Sequence, residues 1–208
     1  MHGCTRYRPS MLKPEIQRLD SHAASTLRYI RSSMEGAVSL AVPGSAGLAL
    51  GVLGLLTAAL SSVPALHAHW LEIWLSASLV GAAVGGTLVV RESSLRSLQL
   101  IGTPLRKFVL CLTPSLFAAV IMTAVHWTYG NLHAIPGTWL LLYGCALITA
   151  SAATTRTIGV LGGCFALLGM MALLLPDDLQ ILLLAIGFGG LHILFGFVIG
   201  RTTHASQI

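Results

Sequence analysis

An all-α fold with six transmembrane helices is predicted by three features: too few charges to cover a water-facing surface, six apolar runs of bilayer length, and basic residues confined to alternate connections. Only 9% of the residues are charged and 55% are hydrophobic, whereas a soluble domain carries about 25% charged residues. The mean hydropathy is +0.82. Lipid is therefore the expected solvent. A net charge of +5 would also suit a nucleic-acid binder. Here, however, the basic residues flank apolar runs and never enter them, so no nucleic-acid partner is expected.

Residues 1–12 read as a disordered tail or a misassigned start, with Met11 as a second initiation point. Between Lys13 and Glu35, Ile16, Leu19, Ala23, Leu27, Ile30 and Met34 recur every three or four residues. That spacing predicts an amphipathic helix over 13–36, with Pro14 suited to its first turn. Arg18, Arg28 and Arg31 lie off the apolar face, and so suit anionic headgroups or a docked partner.

A helix rises about 1.5 Å per residue and needs about 20 apolar residues to cross a hydrocarbon layer about 30 Å thick. The runs 44–63, 70–90, 108–127, 137–154, 157–175 and 179–200 meet that length. The first begins only after Pro43, so no signal peptide is expected and the span stays as an anchor. Pro64, Pro136-Gly137 and Pro176-Asp177-Asp178 punctuate the connections, with Asp177 as an N-cap for the last span. Residues 201–208 form a short tail.

All 12 Lys and Arg residues precede span one, lie between spans two and three (Arg91, Arg96, Arg106, Lys107), join spans four and five (Arg156), or follow span six (Arg201). Cytoplasmic loops hold the basic excess, so both termini are expected in the cytoplasm. Trp70, Trp74, Trp127, Tyr129 and Trp139 fall near the opposite ends and read as interfacial anchors. Leu95, Leu98, Leu100 and Ile101 predict a further surface helix in the 91–107 connection. Arg106 and Lys107 join Arg18, Arg28 and Arg31 as the expected partner or lipid face.

Small residues let helices approach within lipid, and Gly81, Gly85, Gly162, Gly163, Gly196 and Gly200 mark the expected contact faces. Pro114 is expected to bend span three, with Thr113 and Ser115 helping to satisfy the freed carbonyl. Cys111, Cys145 and Cys164 lie inside spans without metal or disulfide spacing, and read as packing residues.

Ionisable residues inside the hydrocarbon mark ion paths and catalysis. His192 is almost alone there, between Gly189 and Gly196, and is the one candidate intramembrane functional residue. A haem bridge to His126 is disfavoured because the two lie at different depths. His67, His69, His126, His133, Glu72, Asp177 and Asp178 map to one surface without a metal-binding spacing. The absence of P-loop, G-x-S-x-G and H-E-x-x-H patterns disfavours an enzyme. No catalytic, cofactor or metal residue is therefore assigned.

Leu27-Arg28-Tyr29-Ile30-Arg31, Val42-Pro43-Gly44, Arg106-Lys107-Phe108, Trp139-Leu140-Leu141-Leu142-Tyr143-Gly144 and Gly187-Phe188-Gly189-Gly190-Leu191-His192-Ile193 occur together. In combination they resemble a family of bacterial, mainly acidobacterial, integral membrane proteins of unknown function, over residues 27–201. The resemblance implies a bacterial inner membrane and companionship with small winged-helix regulators; it implies no activity or binding site. The chain departs from the family in its Arg201-Thr-Thr-His tail and its extended N-terminus. The function expected is a non-enzymatic accessory or regulatory protein with a basic cytoplasmic face, bound to membrane lipid and to a cytoplasmic partner or a second copy. The alternative is a small-solute transporter or channel lined by small and hydroxyl faces of spans four to six, including Thr149, Ser151, Thr154 and Thr155.

Overall fold

The computed structural model describes Thr26, Leu27, Leu40, 42–95 and 103–205. Among these residues every element is helical. In order they are α1 (Gly44–Ser61), α2 (Trp70–Leu95), α3 (Thr103–Thr128), α4 (Ala134–Ala150) and α5 (Arg156–Leu174). The sixth span has three parts: α6 (Gln180–Leu184), a π turn (Ala185–Leu191) and α7 (His192–Ala205). Six stretches are long and apolar enough to cross a membrane: Gly44–Ser61, His67–Glu92, Leu105–Thr128, Ala134–Ala153, Arg156–Leu174 and Asp177–Arg201. Their surfaces carry Leu79, Phe117 and Leu174 at 74%, 64% and 86% exposure, tolerable in lipid and costly in water.

The predicted amphipathic helix, with Arg18, Arg28 and Arg31, lies outside the described residues except for Thr26 and Leu27, as do residues 96–102 of the expected surface helix. Leu40 is fully buried and donates its amide to the carbonyl of Ala153 at 2.9 Å. The segment entering α1 is thereby fastened to the end of the fourth span.

The connections follow local chemistry. After α3, Asn131 N–H donates to the His126 carbonyl and Gly130 N–H to that of Trp127, at 2.8 and 3.2 Å. Gly130 has φ +69°, so this is a Schellman stop that needs glycine at the left-handed position. Helix α4 starts at Ala134, ahead of the predicted 137, because Pro136 fits a first turn where its missing N–H has no intrahelical acceptor. Asp177 does not cap the sixth span: it sits in a 3₁₀ turn (Asp177–Leu179) without a side-chain cap bond. Helix α3 runs unbroken through Pro114. Thr113 Oγ1 donates to the Val109 carbonyl at 2.7 Å beside it.

Helix α1 packs between α2 and the sixth span, and α4 between α3 and α5. Two glycine seams set these pairings. In α1, Gly44, Gly47, Gly51 and Gly54 are spaced three, four and three apart and so share one face. A Cβ on Gly54 would stand 2.5 Å from the Phe188 carbonyl oxygen, and one on Gly47 would stand 2.9 Å from Gly196 Cα. Between α4 and α5, Gly144 and Gly162 each abut the other's backbone, and Gly169 abuts Leu141. The predicted glycine faces divide accordingly. Gly162 and Gly196 are seam residues, and Gly200 lines the seam opposite Gly44. Gly81 and Gly85 meet only the side chain tips of Leu50 and Leu53, and Gly163 faces open space.

Candidate functional site

The core between the seams is hydrocarbon: Leu140, Leu147, Ile158, Leu161, Phe165, Ala172, Leu183 and Leu184 are all buried. His192 enters it as the first residue of α7, only 5% exposed. A π turn adds one residue to a helical turn and re-aims the chain that follows. Here that turn contains Gly187 and Gly189, whose lack of side chains lets it press against Leu140 of α4 and Leu55 of α1, whereas Gly190 meets nothing within 4 Å.

Both ring nitrogens of His192 are engaged. Nδ1 lies 3.1 Å from the Phe188 carbonyl oxygen, and Nε2 lies 3.0 Å from the Tyr143 hydroxyl. A carbonyl only accepts, so Nδ1 carries the proton; a neutral ring then accepts at Nε2, and Tyr143 donates. By helical rise Tyr143 is about 13 Å from the start of its span and His192 about 13 Å from the end of the sixth, which places the pair near mid-membrane. Phe165 and Phe188 close round it, with ring centroids 5.2 and 6.1 Å from the imidazole.

Trp74, expected as an interfacial anchor, turns inward. Its ring lies 5.9 Å from that of Phe188, and its Nε1 is buried without an acceptor. Trp139 also faces inward, its Nε1 donating to Thr123 Oγ1 at 2.9 Å. Trp127 and Tyr129, at 58% and 83% exposure, keep the exposure expected of anchors. Tyr143 had not been singled out from the sequence. A phenol at the centre of an apolar span needs a partner, and that need was the signal the sequence offered.

Hydroxyls at membrane level bond mainly to carbonyls of their own helices. Thr57 bonds to Leu53, Ser61 to Thr57, Ser151 to Ile148 and Thr154 to Ala150. Thr149 Oγ1 reaches the Cys145 and Ala146 carbonyls and, across to α3, that of Cys111 at 3.0 Å. Such bonds place the hydroxyl hydrogen on the protein's own backbone and leave the oxygen lone pairs as the remaining hydrogen-bonding capacity.

Arg91, Arg106, Lys107, Arg156 and Arg201 are exposed, each at or near a span terminus that successive crossings bring to one end of the bundle. The other end holds Glu72, Asp177 and Asp178. His69 Nδ1 stands 3.8 Å from Glu72, and His126 Nε2 stands 3.3 Å from Thr138 Oγ1. Among the described residues no three His, Cys, Asp or Glu side chains gather as a metal cluster.

Comparison of the chain with protein-family models, with curated proteins and with solved structures finds no match.

Proposed function

We propose that the protein is a non-enzymatic accessory or regulatory component of a membrane, presenting a cationic face to a partner at one side of the bilayer. The observation that carries this reading is the separation of its polar groups. Arg91, Arg106, Lys107, Arg156 and Arg201 stand exposed at one end, whereas the polar groups of the interior are largely bonded within the protein, His192 to Tyr143 and Phe188. Positive charge available for recognition is therefore concentrated at that end, expected to be cytoplasmic from the basic excess. Arg18, Arg28 and Arg31, which lie outside the described residues, fall on the same expected side of the membrane by the charge pattern of the sequence, and a bacterial inner membrane with both termini in the cytoplasm is the setting proposed.

This reading is preferred to a transporter or channel because Thr149, Ser151 and Thr154 each give their hydrogen to a carbonyl and so offer a solute acceptor lone pairs but no donor. Photo-crosslinking residues placed at 106 and 156 in native membranes test it. A discrete soluble protein is expected at both positions, weakened by Arg106→Gln with Lys107→Gln; recovery of lipid and the chain alone would sink the idea. Solute flux in liposomes containing only the purified chain would turn the choice to transport.

A further inference from the structure

Helix α1 and the sixth span touch backbone to backbone from Gly44 to Gly54. Beyond Gly54 the glycines of α1 end, and α6 has none. Side chains hold the two helices apart there, leaving a groove of about 510 Å³ lined by Leu55, Ala58, Ala59, Ile181, Leu182 and Ala185, with Ser62, His67 and Asp178 at its rim. That volume lies in the range of small-molecule sites, about 300–1,000 Å³. Leu55 and Leu182 on its walls are 44% and 54% exposed, so the groove opens sideways where lipid chains pass. From Asp178 to Ala185 it descends about 10 Å by helical rise, from headgroup level into the hydrocarbon.

The rim offers acceptors. The Asp178 carboxylate accepts only. His67 Nδ1 lies 3.2 Å from the Ser61 carbonyl oxygen, which must receive its proton, so in the neutral ring Nε2 keeps a lone pair. Ser62 Oγ donates its hydrogen to the Ala58 carbonyl at 2.8 Å and likewise keeps its lone pairs. No Lys or Arg lines the groove. A headgroup that offers only a phosphate, with no ammonium beside it, would bring a negative charge to Asp178 and find few donors there, and a quaternary ammonium has no N–H to give. A primary ammonium carries three donors, no acceptor and a positive charge that complements Asp178.

We infer that this groove holds an aminophospholipid of the surrounding bilayer, its primary ammonium received by Asp178, His67 and Ser62 and its upper acyl carbons lying between α1 and α6. The full chain, reconstituted in vesicles of phosphatidylethanolamine, phosphatidylcholine and phosphatidylglycerol in equal parts, is extracted and its retained lipid is measured by native mass spectrometry. Phosphatidylethanolamine is expected to be enriched about tenfold, the equivalent of one charge-assisted hydrogen bond, and to fall stepwise as its nitrogen is methylated. Asp178→Asn should remove the enrichment. Leu182→Trp, which fills the apolar half and leaves the carboxylate in place, should remove it too, whereas Glu72→Gln should not. Equal retention of the three lipids, or unchanged enrichment in Asp178→Asn, overturns the proposal. So does disulfide pairing of two Leu182→Cys chains in the membrane, which would make a second copy the occupant.

Discussion

The glycine-seamed pairs, α1 with the sixth span and α4 with α5, contrast with the two spans that carry no seam, α2 and α3. In the fourth span 56% of the apolar window is buried, and in the third only 6%. Hydropathy does not explain this, since the third is the more apolar of the two, at 2.2 against 1.4. Within lipid an apolar side chain gains little by leaving one hydrocarbon for another, so association depends on close contact and internal hydrogen bonds. The α4–α5 seam brings backbones together through Gly144, Gly162 and Gly169, whereas α3 has no glycine and meets its neighbour through side chains. In a membrane, small residues rather than apolar ones decide which helices form the core.

Substitutions can break that comparison. The largest effect is expected at Gly169 and Gly54, where a Cβ would run into the Leu141 backbone and the Phe188 carbonyl. Gly→Ala at either site should cost about 1–3 kcal/mol despite the better helix propensity of alanine, read from unfolding in mixed micelles with rising detergent fraction. Next is Tyr143→Phe, which deprives His192 Nε2 of its donor. A loss of about 1 kcal/mol is expected, near the upper part of the range for hydrogen bonds between membrane helices. A change below experimental error would mean that the pair adds nothing to assembly.

Smaller still is Gly81→Ala, where the new methyl would meet only the tips of Leu50 and Leu53 at 3.3 and 3.4 Å. It should shift stability by no more than about 0.5 kcal/mol. At Gly163, with nothing within 4 Å of a new Cβ, alanine should be neutral or stabilise by up to about 1 kcal/mol. The reversal of sign between Gly169 and Gly163, both in α5, separates seam from surface without reference to hydrophobicity. Equal losses at the two positions would refute the division.

The six spans were legible because length and charge placement are properties of the chain itself. Their ends shifted by a few residues where Pro136 and the Gly130 stop set local geometry. The seams were only partly legible. The three-four-three spacing of Gly44, Gly47, Gly51 and Gly54 is written in the sequence, but so are Gly81 and Gly85, and spacing alone does not say which face meets backbone. His192 was found by its cost in lipid; its partner Tyr143 required knowing that the fourth and sixth spans are neighbours. The π turn has no sequence rule beyond a richness in glycine. Trp74 and Trp139 misled because tryptophan suits interfaces and helix contacts alike, and only the rotation of each helix decides between them.

The seam between α1 and the sixth span also orders events in time. Its halves are separated by well over a hundred residues, so when α1 first enters the bilayer its glycine face has no mate. The α4–α5 hairpin, by contrast, can close as soon as its short turn has been made. Until the sixth span leaves the ribosome, α1 holds an open backbone face toward lipid or toward whatever insertion factor shelters it, and the bundle becomes whole only when that late arrival docks.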